Sequence, residues 1–222
     1  MRWKQPKARR EQPAQGGYQD WKQHVADECW QQCVYCAIHE SRYGGLDNFH
    51  VEHYRPKSLE QFAHLVNTIT NLFLACAICN RFKGNDWPAD PVADHSISAY
   101  PDPSASDYNS LFTWTSNFQL KGLYPSAKYI LERLYLNRPQ LMLERRTFAA
   151  TSRLADFERF AAQATGQLEE RGEDQAAIKL LGELMRALIS LSQLFRQANS
   201  VRPYKLADVR RPRRARRRKA TP

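Results

Sequence analysis

Apolar residues recur at helical spacing in two parts of the chain and predict helices there. Tyr18, Trp21, Val25 and Cys29 fall on one face of a helix that begins at about Tyr18. On that face Cys29 is a small apolar residue, so burial is favoured over a metal-binding role. A second apolar series predicts a long helix over about 174–199. Its members are Ile178, Leu181, Met185, Leu188, Leu191 and Phe195.

Shorter elements are predicted in the first half of the chain. Residues 46–55 have the pattern of a short strand that ends in a loop at Pro56. Residues 59–67 are compatible with a helix, and another helix is predicted to begin at about Asn80. Residues 88–108 are rich in Pro, Asp and Ser, which favours an irregular connection.

The second half is predicted to combine one hairpin with helices. The runs 111–115 and 118–120 flank a two-residue polar turn and predict a β-hairpin. A helix is expected over 126–136. A longer one starts at Asn137 as N-cap and runs to about Ala164, before a glycine. We expect the two long helices to pack as an antiparallel pair.

Positive charge is concentrated at the two ends of the chain. The net charge is +10, yet residues 1–10 and 210–219 together hold thirteen basic and no acidic side chains. The remaining body, 11–209, has twenty basic against 23 acidic residues, a net charge of −3. Broad nucleic-acid binding by the whole folded surface is therefore not indicated.

The composition predicts a globular, cytoplasmic protein with no membrane association. At 42% hydrophobic and 11% aromatic residues the chain can bury a core. The N-terminus has no apolar segment of the secretory type, and the most apolar stretch, 71–79, is too short to span a bilayer. Five cysteines in such a chain favour reduced thiolates that bind metal over a disulfide framework.

Two C-x-x-C pairs predict a structural zinc site. Cys33 and Cys36 form one pair, Cys76 and Cys79 the other, and residues 37–75 lie between them. Four thiolates suit tetrahedral zinc and leave no open coordination position, so this metal would be structural. The alternatives are four ordinary buried cysteines or a redox pair. The second matching pair argues against the redox reading.

The segment between and around these pairs resembles the HNH endonuclease family. Glu52-His53 is followed eighteen residues later by Asn71-Leu72, and then by Cys76-x-x-Cys79-Asn80-x-x-Lys83-Gly84. The resemblance covers about residues 33–85. It implies an α+β fold: a ββα-metal HNH core held together by the four-cysteine zinc site, with a C-terminal α-helical region.

The resemblance implies roles for the polar residues of the motif. His53 would be the general base that activates water, as a neutral histidine can near pH 7. Glu52 and Asn80 would hold a catalytic divalent cation, Mg²⁺ or Mn²⁺, with oxygen ligands. Asn71 would orient the His53 ring through a carbonyl contact. His50, two residues before Glu52, is a further candidate ligand, phosphate contact or structural partner.

Two basic residues are candidates for substrate binding. Lys83 would contact phosphate oxygens as a point charge and Arg55 as a planar fork. The alternative for each, taken alone, is a solvated surface charge. His53 and Asn71, taken alone, could likewise be a structural histidine and a turn cap.

A second resemblance reaches further along the chain. The segment His50-Val51-Glu52-His53-Tyr54-Arg55-Pro56-Lys57, the predicted hairpin, and the segments 133–139 and 143–146 resemble the HNH subunit of Septu-type and retron-associated antiphage systems, the PtuB group. This covers about residues 15–160. It implies a prokaryotic defence nuclease that acts beside an ATPase subunit of the ABC/SMC-like kind.

Four regions are predicted on this basis. They are a basic flexible arm (1–16), a zinc-containing HNH nuclease domain (17–108), a hairpin plus helical region that docks the partner (109–205), and a disordered basic tail (206–222). The tail would add phosphate attraction that does not depend on sequence. Two alternatives remain: an effector that cleaves RNA with the same site, and a non-catalytic zinc-ribbon module that binds nucleic acid or protein.

Overall fold

Two antiparallel strands and the helix that follows them form the centre of the fold. A computed structural model of the protein describes residues 2–6, 11–170 and 175–199. Strand β1 (Phe49–His53) pairs with β2 (Leu72–Cys76), and α2 (Ala77–Lys83) packs against both. All of β2 is buried, whereas His50 on β1 is exposed. The predicted ββα core within an α+β fold is therefore confirmed.

Helix α1 (Lys22–Glu28) covers β2 and contributes Val25 and Cys29 to the core. The Cys29 sulfur accepts a hydrogen bond from the Leu74 amide at 3.4 Å, so the expected burial of Cys29 is confirmed. The helix starts later than predicted. Residues 17–20 form a turn, because the Asp20 carboxylate accepts a hydrogen bond from the Gly17 amide at 3.0 Å.

Local hydrogen bonds also change two other predicted elements. Helix α2 begins at Ala77 and not at Asn80, because the Cys76 sulfur caps it by accepting from the Cys79 amide at 3.5 Å. The segment predicted as a helix over 59–67 is a 3₁₀ helix, Glu60–Leu65. Further 3₁₀ turns precede the strands: Glu40–Arg42, Leu46–Asn48 and Ile69–Asn71.

The predicted hairpin is present, with strands displaced slightly along the chain. Strand β3 (Phe112–Trp114) pairs with β4 (Leu120–Gly122) so that Trp114 faces Leu120. Asn137, predicted as a helix cap, instead binds both backbone groups of Leu120, at 2.7 and 2.9 Å. The elements of this half are α3 (Tyr108–Leu111), β3 (Phe112–Trp114), β4 (Leu120–Gly122), α4 (Pro125–Arg133), α5 (Pro139–Glu170) and α6 (Gln175–Asn199).

The two long helices pack against each other, as expected. The Ser192 hydroxyl of α6 donates to the Glu158 carboxylate of α5, which fits an antiparallel pair. Helix α5 continues past Gly166, so this glycine does not end the helix as predicted. Among the residues that the structure describes, no helix is both long and apolar enough to cross a lipid bilayer.

Residues 2–6, which belong to the predicted arm of residues 1–16, contact the body of the protein. The Trp3 ring stacks on Phe112 with centroids 5.4 Å apart, and its indole N–H donates to the Tyr35 carbonyl at 3.2 Å. Asn109 binds both backbone groups of Trp3, at 3.0 and 2.9 Å. One aromatic anchor thus offsets the polar composition of the arm. The predicted tail, 206–222, lies outside the described residues.

Candidate metal centre and catalytic cleft

The four paired cysteines meet in the interior, as the spacing predicted. Cys33, Cys36, Cys76 and Cys79 are all buried, and their sulfur atoms lie within 4.8 Å of one another. The Cys36 and Cys76 sulfurs are 3.8 Å apart. A tetrahedral zinc ion with bonds of about 2.3 Å places its sulfur ligands about 3.8 Å apart. The cluster therefore fits a structural zinc.

Backbone hydrogen bonds hold the two cysteine pairs together before any metal is considered. In the first pair the Ala37 amide donates to the Cys33 carbonyl at 2.8 Å and closes a tight turn. The Val34 amide then donates to the Leu74 carbonyl at 3.0 Å, which fixes this turn to β2. Because Cys76 ends the same strand, the sheet itself brings the second pair to the first.

Arg138 lies over the cysteine cluster, a contact that the sequence analysis did not identify. Its Nη2 is 3.7 Å from the Cys36 and Cys76 sulfurs and 3.5 Å from the Cys79 sulfur. Burial alone would lower the pKa of Arg138, but the sulfurs of Cys79 and Cys36 outweigh it and raise the pKa. A zinc ion with four thiolates carries net negative charge, which this guanidinium offsets.

A separate cleft of about 530 Å³ opens beside β1. Three of the predicted site residues on β1 line it together with Asn80 of α2, so the fold brings these parts of the motif to one place. The cleft is lined by polar and ionisable side chains, among them Tyr18, Lys22, His50, Glu52, His53, Lys57, Asn80 and Asn85.

His53 is held by a backbone carbonyl. Its Nε2 is 3.0 Å from the Val66 oxygen, and its ring meets the Tyr18 ring edge to face at 4.7 Å. A carbonyl only accepts, so the neutral ring carries its proton on Nε2 and has its lone pair on Nδ1. Burial lowers the pKa of His53. The ring is therefore neutral at pH 7, as a base must be.

Asn71 does not contact His53, so its predicted role is corrected. The Asn71 side chain accepts from the Arg55 amide at 2.8 Å and donates to the carbonyls of Arg55 and Leu65 at 3.1 and 3.4 Å. It thereby joins the end of β1 to the loop that carries the Val66 carbonyl. Asn71 acts on His53 through the backbone, while Val66 orients the ring.

Lys83 is in the interior and not at the surface where a phosphate would bind. It is fully buried, its Nζ lies 2.7 Å from Glu52 Oε1, and it donates to the His53 carbonyl at 3.0 Å. Burial raises the pKa of Glu52. Lys83 opposes this increase, and Tyr35 opposes it to a smaller extent. The contacts of Lys83 are therefore structural and differ from the predicted phosphate contact. Its ammonium compensates the buried Glu52 carboxylate and binds the backbone carbonyl of His53.

Arg55 is also directed away from the cleft. Its guanidinium lies 5.9 Å from the ring centres of Tyr54, Phe62 and Trp87, and its Nε is 3.7 Å from the Asp90 carboxylate. These contacts occupy the planar fork that was expected to bind phosphate. The structure supports a packing role for Arg55.

The cleft fits a divalent cation held by oxygen. Glu52 Oε1 is buried and makes no hydrogen bond of good geometry despite its closeness to Lys83, and the Asn80 amide is half-buried in the same cleft. A carboxylate and an amide oxygen are ligands that Mg²⁺ and Mn²⁺ favour. His50 lines the cleft as well and is a candidate third ligand.

Comparison with known proteins identifies the segment that carries both sites. Residues 33–86 match the family model described as HNH endonuclease. No curated protein and no solved structure gives a significant match to the chain. The match begins at the first zinc-site cysteine and ends three residues after Lys83, so it includes every residue of the cysteine cluster and the motif. Residues 33–86 therefore form an HNH endonuclease domain.

Proposed function

We propose that this protein is a metal-dependent nuclease that hydrolyses phosphodiester bonds, with DNA as its substrate. The observation that carries the proposal is the His53 ring: neutral, fixed in one tautomer by the Val66 carbonyl, and set in a cleft with Glu52 and Asn80. A structural zinc protein that only binds nucleic acid has no need for these three side chains together.

The residues of the cleft have distinct parts in the proposed reaction. His53 removes a proton from water at Nδ1, while the Val66 carbonyl stabilises the imidazolium that results. Burial raises the pKa of Glu52, and the Lys83 ammonium opposes that shift and so favours the carboxylate form. Glu52 and Asn80 would hold Mg²⁺ or Mn²⁺, which when bound neutralises the phosphate and stabilises the leaving oxygen. The zinc of the cysteine cluster takes no part in the chemistry.

We further propose that the nuclease works in a prokaryotic antiphage defence system with an ATPase partner of the ABC/SMC-like kind. The resemblance of residues 15–160 to the PtuB group supports this. So does exposed apolar surface on the long helices, which marks sites of protein association. Five of these residues are each more than half exposed: Leu143, Phe160, Leu180, Leu184 and Leu191.

The test is cleavage of plasmid DNA and of total RNA by the purified protein, with Mg²⁺ or Mn²⁺, with and without a co-purified ATPase. His53→Ala should reduce the rate by about 10²- to 10⁴-fold, the usual contribution of a general base. His64→Ala is the matched control, since His64 is an exposed histidine outside the cleft. Undiminished cleavage by His53→Ala would refute the mechanism.

The two alternatives give different results in the same experiment. Cleavage of RNA alone would assign an RNA substrate to the same residues, because the cleft side chains act on a phosphate and not on a sugar. Binding without cleavage of either nucleic acid, in the presence of both metals and the partner, would favour the non-catalytic zinc module.

A further inference from the structure

Two lysines that the motif does not include lie in the catalytic cleft. Lys22 belongs to α1, and Lys57 follows β1. Lys22 is half-buried, and the carboxylate of Asp47, which does not line the cleft, acts on it electrostatically. Burial lowers the pKa of Lys22. An ammonium that is partly desolvated in a concave site favours an anionic ligand.

Lys57 is held in a defined position at the other side of the cleft. Its Nζ donates to the Tyr18 hydroxyl at 2.5 Å and lies 4.2 Å from the centre of the Tyr18 ring. Gln19 also donates to this hydroxyl, at 3.1 Å. Since the Tyr18 ring contacts His53, a single tyrosine places both an ammonium and the base.

The charges of the cleft favour a polyanion. Glu52 is the sole carboxylate among its described lining residues, and Lys83 already compensates it from inside the core. The surface that remains is therefore positive. Lys22 acts electrostatically on His50, and Lys57 on His53. These histidines are three residues apart, about 10 Å along an extended strand, so the lysines flank the site on two sides.

We propose that Lys22 and Lys57 bind backbone phosphates on either side of the scissile one, so that the nucleic-acid strand runs along β1. Tyr18 is the positioning residue that holds Lys57. This inference rests on the proposed nuclease function. It assigns to Lys22 and Lys57 the phosphate contacts that were expected of Lys83, which is fully buried, and of Arg55, which does not line the cleft.

The test measures binding separately from cleavage. In the His53→Ala protein, the affinity for a short fluorescein-labelled DNA duplex is measured by anisotropy over a range of salt concentrations. Each lost phosphate contact lowers the slope of log affinity against log salt by about 0.9 for duplex DNA, or about 0.7 for a single strand. We expect this decrease for Lys22→Met and again for Lys57→Met.

Three further variants separate a phosphate contact from general effects. Lys121→Met, an exposed lysine on β4 outside the cleft, should leave the slope unchanged. Lys57→Arg should restore it. Tyr18→Phe should lower affinity in the parent but change nothing more in the Lys57→Met background, because its effect passes through Lys57. Unchanged slopes for both Lys22→Met and Lys57→Met would overturn the inference.

Failure of this inference and failure of the proposed function are distinguishable. If the protein with His53 intact cleaves nucleic acid but neither lysine variant changes the salt slope, the nuclease assignment holds and the phosphate contacts are elsewhere. If the slopes fall as expected but His53→Ala and its parent are equally inactive, the lysines bind phosphate in a cleft that does not cleave.

Discussion

The HNH domain contains two sites that suit different metals, and their differences explain their different tasks. The cysteine cluster offers four sulfur ligands, all buried, with the Arg138 guanidinium over three of them. The cleft offers oxygen and nitrogen ligands beside open space and the ammonium groups of Lys22 and Lys57. A closed, soft and neutralised site stabilises the fold, whereas an open, hard-ligand site with excess positive charge suits turnover of a phosphate.

One short helix serves both sites. In α2, Cys79 faces the sulfur cluster, the adjacent Asn80 faces the cleft, and Lys83 reaches Glu52 one turn later. Loss of the first site should therefore disturb the second, while changes in the cleft should leave the cysteine cluster intact. The predictions below test this asymmetry.

The largest effect is expected from Cys76→Ser, which removes a zinc ligand and the cap of α2. Structural zinc contributes about 10–16 kcal/mol of binding free energy, comparable to the whole stability of a domain, about 5–15 kcal/mol. The variant should lose zinc by elemental analysis and lose the near-UV circular dichroism of the core. Cys29→Ser, which changes a cysteine outside the cluster, should keep its zinc. Full zinc content in Cys76→Ser would contradict the site.

Lys83→Met should destabilise the protein by about 3–5 kcal/mol, because it leaves the Glu52 carboxylate buried without its counter-charge. Chemical denaturation measures this loss. The double variant Glu52→Gln, Lys83→Met should recover much of it, since neither charge is then buried alone. Zinc should remain bound in both. A single variant as stable as the parent would show that Lys83 does not compensate Glu52.

Arg138→Met should weaken zinc binding by about 10- to 100-fold, the usual effect of removing a group that contacts metal ligands. Competition with a chelator measures the change. Arg146→Met is the matched control, because Arg146 is an exposed arginine on α5, the helix that begins directly after Arg138. Equal chelator resistance of the two variants would remove Arg138 from the metal centre.

The smallest effect is a displacement of the acid limb of activity. Burial lowers the pKa of His53, so the neutral base persists below the ordinary histidine pKa of about 6.5. The cleavage rate should be level near pH 7 and decrease only as pH falls through the lowered pKa of His53. Rates measured across this range, with folding followed in parallel, test the expectation. An acid limb centred above the ordinary value would contradict the burial of the base.

Local pattern predicted the parts of the site that depend on neighbours in sequence. The cysteine spacing and the Glu52-His53 and Asn80 motif indicated which ligands would meet, because strand pairing and one helical turn fix their positions. Sequence spacing did not predict where two side chains point. Lys83 turns inward to pair with Glu52. Arg55 lies over the rings of Tyr54, Phe62 and Trp87.

The sequence analysis did not identify the residues that reach the site from distant segments of the chain. Lys22 reaches the cleft because α1 packs on the sheet, and Val66 faces His53 because Asn71 fixes the intervening loop. The same holds for Asn137, whose local sequence suited a helix cap but whose side chain pairs with a hairpin seventeen positions earlier. Local propensity was outweighed by tertiary contacts there.

The docked Trp3 has a practical consequence for anyone who prepares this protein. Its indole N–H donates to the carbonyl of Tyr35, a fully buried residue between the two cysteines of the first pair. An affinity tag fused directly before Trp3, or a shortened start that omits it, would place foreign chain or a gap against the turn that carries Cys33 and Cys36. Protein prepared for the experiments above should keep residues 2–6 and carry a removable tag.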